Sequence, residues 1–270
     1  MKREPLYTVY GPKTMFEMTR EEVQEALEQT DILLLPIGSL EQHGPHLPLG
    51  SDTMQAVEIA QRAQLRLAEE GISVVVGPPL LFGLCSYHMD FPGTVTLQPD
   101  TMLAVIEEVC LSLYQHGFRK FAFILGHGGN WPIMQVAAQS VVSKTKDAKV
   151  VSLNWLKPMF EKYPEILTSK RPEKHSGEGE TSRMLATHSE LVELDRAQTY
   201  YFEGAADMES ADHPLLGGGI YEATRSMKAS PPVGSIGDPK LATVETGEKL
   251  YELVVDWVAK AVKQEFISKG

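Results

Sequence analysis

Six consecutive apolar residues, Ile32-Leu33-Leu34-Leu35-Pro36-Ile37, run directly into a loop that carries Glu41, His43, His46 and Asp52. A run so short and so apolar reads as a strand buried on both faces, the kind found in a parallel sheet covered by helices. The loop, residues 37–53 (IGSLEQHGPHLPLGSDT), then lies at the carboxyl end of that strand, where open α/β sheets bind their ligands. Glu41 and His43 are two apart, so an extended backbone sends both side chains to the same side. Asp52 falls where an amphipathic stretch, residues 54–67, begins. A helix-capping role for Ser51 and Asp52 would account for that position, but capping leaves Glu41 and His43 unexplained.

Two further clusters follow. Residues 121–125 (FAFIL) read as another buried strand, and it empties into Gly126-His127-Gly128-Gly129-Asn130 before a helical pattern resumes at 131–142. The glycines allow close backbone approach to a ligand. Glycine-rich turns of this kind also bind phosphate, but no Lys-Ser/Thr follows, so the turn is not a nucleotide P-loop. The third cluster, His175-Ser176-Gly177-Glu178-Gly179-Glu180-Thr181-Ser182, precedes the helical start Met184-Leu185-Ala186. Glu178 and Glu180 fit either a dipole-favoured first turn or acid/base work beside a metal.

Together the clusters offer imidazole nitrogens and carboxylate oxygens, a donor set that suits zinc, manganese or iron(II) and leaves positions open for water and substrate. A closed structural zinc site would want thiolates, and Cys85 and Cys110 are far apart and not in CxxC spacing. Asp52 is the natural bridge between two metals, which would place the chemistry in metal-assisted hydrolysis.

SLEQHGPHLPLGSDT, GHGGN and HSGEGETS, in this order and at these separations, resemble the creatininase (creatinine amidohydrolase) family. SYHMDFPGT at 86–94 and GSIGDPKLAT at 234–243 extend the resemblance over most of the chain. It implies a three-layer α/β sandwich, a mainly parallel sheet with helices on both faces, in a single domain spanning 1–270. It also implies two divalent metal ions, zinc and/or manganese with iron as an alternative, and hydrolysis of a cyclic amide or related small molecule. A homo-oligomer, often a hexamer, is implied as well. Carried over residue by residue, the ligands are Glu41, His43, Asp52 and His127. The family pattern has a Glu two residues after the second His, where this chain has Gly129. Glu180, with Glu178 behind it, is expected to substitute. His175 resembles the proton donor to the leaving group, for which an imidazole is suited at neutral pH, with Glu178 as an alternative relay. Trp155 resembles a substrate-stacking aromatic, with a core tryptophan as the competing role. Ser86, His88 and Gly128 are expected to line the pocket beside Tyr87, and His46 to form part of its wall.

The remainder agrees with this reading. At 270 residues the chain can bury about three-quarters of its unfolded surface. A formal net charge of -11 disfavours a nucleic-acid partner. No apolar run approaches roughly 18 residues, and residues 1–11 carry no hydrophobic signal core, so neither a membrane span nor a leader is expected and the cytoplasm is the default. Strands are expected at 32–37, 72–76, 121–125 and 150–153. Met102, Leu103, Ile106, Val109, Cys110 and Leu113 share one helical face that ends at Gly117, which makes Cys110 a core residue. A long amphipathic helix closes the chain, and residues 200–240, rich in Gly and Pro, read as an ordered excursion that completes the pocket or a subunit interface. Four other functions stay open. They are deformylation of a pyrimidine precursor, ring opening of a keto-inositol by C–C cleavage, a non-catalytic binding subunit, and phosphate binding at GHGGN.

Overall fold

The computed structural model describes residues 11–171, 173–201, 226 and 233–268. Among them, β1 (Ile32–Ile37), β2 (Val75–Val76), β3 (Lys120–Leu125) and β4 (Lys149–Leu153) form one parallel sheet in the order β2-β1-β3-β4. All six residues of β1 are buried, which is what their unbroken apolarity requires of a strand with neighbours on both edges.

The helices are α1 (Arg20–Leu27), α2 (Ser51–Glu69), α3 (Pro99–His116), α4 (Trp131–Lys144), α5 (Leu156–Ile166), α6 (Glu178–His188) and α7 (Val244–Phe266). The step from β1 to β2 moves one way along the sheet, and the steps to β3 and β4 move the other way. Right-handed crossovers therefore put α2 on one face and α3 and α4 on the other. α3 packs on α4, while α7 packs against α2, α5 and α6. This is the three-layer α/β arrangement expected. Its strand order reverses between β1 and β3, so the crevice outside their carboxyl ends is where such a sheet binds a ligand.

Local signals set most boundaries. α3 starts with Pro99 and stops at Gly117, whose φ of 123° favours glycine. Cys110 is fully buried in the main apolar cluster, as its helical face implies. The strand expected at 72–76 is shorter, because the Ile72 N–H bonds to the Leu67 carbonyl at 3.0 Å and closes α2. With Gly71 at φ 75° that is a Schellman-type helix end, and only Val75 and Val76 remain to pair with β1. α1 and α5 go beyond the sequence expectation. The excursion at 200–240 lies largely outside the described residues, including Gly217-Gly218-Gly219 and Pro231-Pro232. No helix among the described residues is long and apolar enough to cross a membrane.

Candidate active site

Glu41 and His43 come from the loop after β1, Asp52 from the first turn of α2, His127 from the turn after β3, and Glu180 from the first turn of α6. A Cβ on Gly126 would lie 2.8 Å from the Asp52 carbonyl oxygen and 2.9 Å from Gly38 Cα, so only glycine lets the β3 turn close onto α2. Asp52 sits at the centre. Its Oδ1 is 3.1 Å from His43 Nε2, and its Oδ2 is 3.1 Å from His127 Nδ1. Ser39 Oγ donates to Oδ2 at 2.6 Å and fixes the carboxylate. Glu41 Oε2 stands 3.0 Å from His127 Nδ1, and Glu180 Oε1 stands 3.7 Å from His43 Nε2. Asp52 does not cap α2, whose N-cap is Gly50 with no side-chain hydrogen bond.

The outer nitrogens of the two rings reveal what the inner ones need. His43 Nδ1 is 3.1 Å from the Glu41 carbonyl oxygen, and His127 Nε2 is 3.1 Å from the Leu84 carbonyl oxygen. A carbonyl only accepts, so each neutral ring donates there and turns its other lone pair onto the carboxylates. Lone pairs facing one another at this range require a proton or a cation between them. Burial works against charge on His43, yet Asp52 and Glu180 outweigh it and raise its pKa well above the usual imidazole value. At His127 burial is overcome in the same way, chiefly by Glu41. Glu41 Oε2 is buried and has no partner in hydrogen-bond geometry, the kind of orphan that points to an ion. His43, Asp52 and Glu180 form one group of converging donors, and Glu41 and His127 belong to another. Two imidazoles and three carboxylates suit zinc, manganese or iron(II).

The site has a closed side and an open one. The Glu41, His43, Asp52 and His127 side chains are at most 5% exposed, whereas Glu180 is 17% and His175 12% exposed. His175 Nε2 lies 2.8 Å from the Gln42 carbonyl oxygen, leaving Nδ1 3.8 Å from Glu41 Oε1 and 4.0 Å from Glu180 Oε2. The next residue, Ser176, adopts φ 52° and donates its N–H to Glu180 Oε2 at 2.6 Å. A non-glycine residue in that region is strained and is held by its surroundings.

Other expected residues fall elsewhere. Glu178 does not reach the cluster, because both of its oxygens accept backbone N–H groups, from Thr168 and Ser169, at 2.7 Å. Residues two apart on a helix point in different directions, so Glu178 cannot share the site with Glu180. Trp155 is 1% exposed, part of the core, and its indole N–H donates to the Leu125 carbonyl. It is therefore packing under β3, not a stacking surface. His88 is buried inside the cluster, with Gln42 Nε2 2.9 Å from Nδ1 and Glu41 Oε1 3.5 Å from Nε2, so it orients Glu41. Ser86 is exposed on the same short 3-10 turn, and Gly128 is half-buried directly after His127. His46 Nε2 meets Thr181 Oγ1 at 3.0 Å, a buried wall contact. Sequence reasoning missed Gln42, which ties His88 and the Gly234 carbonyl together. It also missed Glu173, which accepts the Glu178 and Gly179 N–H groups at 2.6 and 2.8 Å and anchors the start of α6.

Comparison with known proteins gives the following similarities. The family model described as creatinine amidohydrolase (Creatininase) matches residues 16–262. A creatinine amidohydrolase from Pseudomonas putida is 29% identical, over 93% of this chain and 96% of that protein. A 3-dehydro-scyllo-inosose hydrolase from Thermotoga maritima is 27% identical, over 91% of this chain and 81% of that protein. A mycofactocin precursor peptide peptidase from Mycobacterium ulcerans is 29% identical, over 86% of this chain and 84% of that protein. A Zn-Zn form of a mutant creatininase superposes with a TM-score of 0.76 at 27% identity, covering 95% of this chain and all (100%) of that one.

Proposed function

The chain belongs to the creatininase family of hydrolases, and from that premise we propose a divalent-metal-dependent hydrolase acting on the carbonyl of a small cyclic amide. One observation carries the reading. The Asp52 carboxylate faces an imidazole and a second carboxylate on each side, His127 with Glu41 and His43 with Glu180. Glu41, His127 and Asp52 would hold one ion, and His43, Asp52 and Glu180 the other. Two zinc or manganese ions, or iron, would there polarise a carbonyl and lower the pKa of water.

The remaining steps belong to the protein. Burial and the neighbouring His43 lower the pKa of His175, so its ring is neutral at pH 7. With Nε2–H committed to the Gln42 carbonyl, Nδ1 is free to accept a proton on the open side of the site. Attack of water on the carbonyl carbon releases one proton; His175 Nδ1 takes it and returns it to the departing nitrogen as the C–N bond breaks. His88 keeps Glu41 in place, and Gly128 and Ser86 border the approach of the substrate.

The test is mass spectrometry of metal-reconstituted protein with creatinine, other cyclic amides, formamidopyrimidines, keto-inositols and short peptides. A cyclic-amide product one water heavier, abolished by chelator and nearly abolished by His175→Ala with metal retained, is the expected result. Turnover of a keto-inositol alone would move the reaction to C–C cleavage at the same centre. Turnover that survives chelation would overturn the metal reading.

A further inference from the structure

The two cysteines are both buried, but only Cys110 belongs to the apolar core cluster. Cys85 is 0% exposed and lies outside it. Its sulfur, a Glu41 carboxylate oxygen and a His127 ring nitrogen all lie within 4.8 Å of one another. A buried thiol that merely packs would sit among methyl groups; this one sits beside an imidazole and a carboxylate whose Oε2 has no hydrogen-bond partner. We propose that Cys85 is a sulfur ligand to the ion held by Glu41, His127 and Asp52, so that the two metal positions differ in kind. The inference rests on the dinuclear reading above and deepens it.

The backbone around Cys85 is fixed as a ligand's should be. The Cys85 N–H donates to Thr96 Oγ1 at 2.9 Å, and the Leu84 N–H donates to Asn130 Oδ1 at 2.9 Å. The Leu84 carbonyl is the group that accepts from His127 Nε2. One short turn therefore sets both the position of the sulfur and the tautomer of the imidazole beside it, the arrangement that metal sites use to orient their ligands.

The donor counts then separate the two positions. Glu41, His127 and Cys85 converge as three donors, and Asp52 Oδ2 stands 3.1 Å from His127 Nδ1 beside them; together the four would be enough to close a tetrahedral site. His43, Asp52 Oδ1 and Glu180 make three, which leaves room for water and substrate. The four-ligand position falls on the closed side of the cluster, where Glu41 and His127 are at most 5% exposed. The three-ligand position falls on the open side, next to His175 and the 17%-exposed Glu180. Thiolate selects a soft ion such as zinc, while a carboxylate-rich set suits manganese. The closed position thus takes a thiophilic ion and the open one a harder ion.

Cobalt(II) reconstitution of the full-length protein tests this. The expected result is two equivalents bound and a thiolate-to-cobalt charge-transfer band in the near ultraviolet, retained in Cys110→Ala and absent in Cys85→Ser. Offered zinc and manganese together, the wild type should bind one of each, and Cys85→Ser should weaken the zinc position by more than the roughly 10–100-fold typical of an outer partner. Two bound cobalt ions without the band, or a band lost in Cys110→Ala, overturn the role of Cys85 alone. One bound cobalt or none overturns the dinuclear reading itself. The wild-type and Cys110→Ala spectra decide the matter even if Cys85→Ser does not fold.

Discussion

Asp52→Asn is the most direct perturbation of the proposed centre. A ligand that binds only the folded state stabilises it by RT ln(1 + [L]/Kd), about 2.7 kcal/mol at 100 Kd and about 4.1 kcal/mol at 1,000 Kd. In a chain of roughly this size about 1 kcal/mol moves the unfolding midpoint by about 2–4 °C, so saturating zinc or manganese should raise wild-type Tm by roughly 5–16 °C. Asn keeps the volume, and Ser39 Oγ can accept an amide hydrogen as well as it donates to Oδ2, so the metal-free variant should fold. It cannot present an oxygen to both His43 and His127, and the charge is gone. If Kd thereby rises to the added metal concentration, the gain falls to about 0.4 kcal/mol, a shift of about 1–2 °C. Differential scanning fluorimetry with and without metal reads this directly. Glu178→Gln is the control: it should lower the metal-free midpoint, because two backbone N–H groups lose their carboxylate, yet keep the full metal-induced shift. An Asp52→Asn protein that retained the wild-type shift would refute the bridging assignment.

Three other outcomes follow from the packing. Burial raises the Glu173 carboxyl from 4.5 to about 8 against the two N–H bonds it accepts. The folded chain therefore keeps a proton that the unfolded chain has lost between those values. That contribution to stability is full below pH 4.5 and gone as pH rises through about 8. Urea midpoints should decline over that window, and Glu173→Gln should flatten the decline; an unchanged slope would count against it. Trp155→Ala should cost about 3–5 kcal/mol in denaturant unfolding, as loss of a large core side chain does, and a variant of undiminished stability with a raised KM would instead restore the stacking role. Gly247→Ala reverses an ordinary rule. Alanine inside a helix usually gains about 1 kcal/mol, but a Cβ here would overlap the Ser182 carbonyl and approach Ala186 Cβ at 2.9 Å. Overpacking of about 1–3 kcal/mol should dominate and push α6 away, and a more stable variant would show that α6 and α7 are not in such close contact.

What the sequence made legible was whatever a short window encodes. The unbroken apolarity of 32–37 and 121–125 marks β1 and β3, because strands flanked on both edges and covered on both faces tolerate nothing else. The ends of those strands, with the residue types that follow them, located Glu41, His43, Asp52 and His127. The period of the backbone was the harder quantity. HSGEGETS leaves open whether Glu178 and Glu180 form a helical first turn or serve together beside a metal, and in extended chain the two would share a side. Helix α6 begins at Glu178, which separates them. Ile72 departs from its expected strand for a similar reason: its apolar side chain suits a strand, but its N–H is committed to the end of α2. The signal for α1, Thr19 with Glu22 in a capping box, is present in the sequence and needs only to be read.

Long-range pairing leaves no local trace at all. Cys85 meets His127 from a separate segment of the chain, and Glu173 anchors the helix that carries Glu180 through backbone groups that no pattern displays. The physical need behind both is the same. Three carboxylates that converge on one small volume repel one another, and the imidazoles offset this only if their rings cannot turn away. The scaffold prevents turning by giving each outer nitrogen a backbone carbonyl, Glu41 for His43 and Leu84 for His127. It prevents the carboxylates from separating by seating them on the loop after β1, the first turn of α2, and an α6 pinned by Glu173 and packed on α7. Such a cluster of like charges is costly to hold together, which is why its donors are carried by segments that the core and its hydrogen bonds have already fixed.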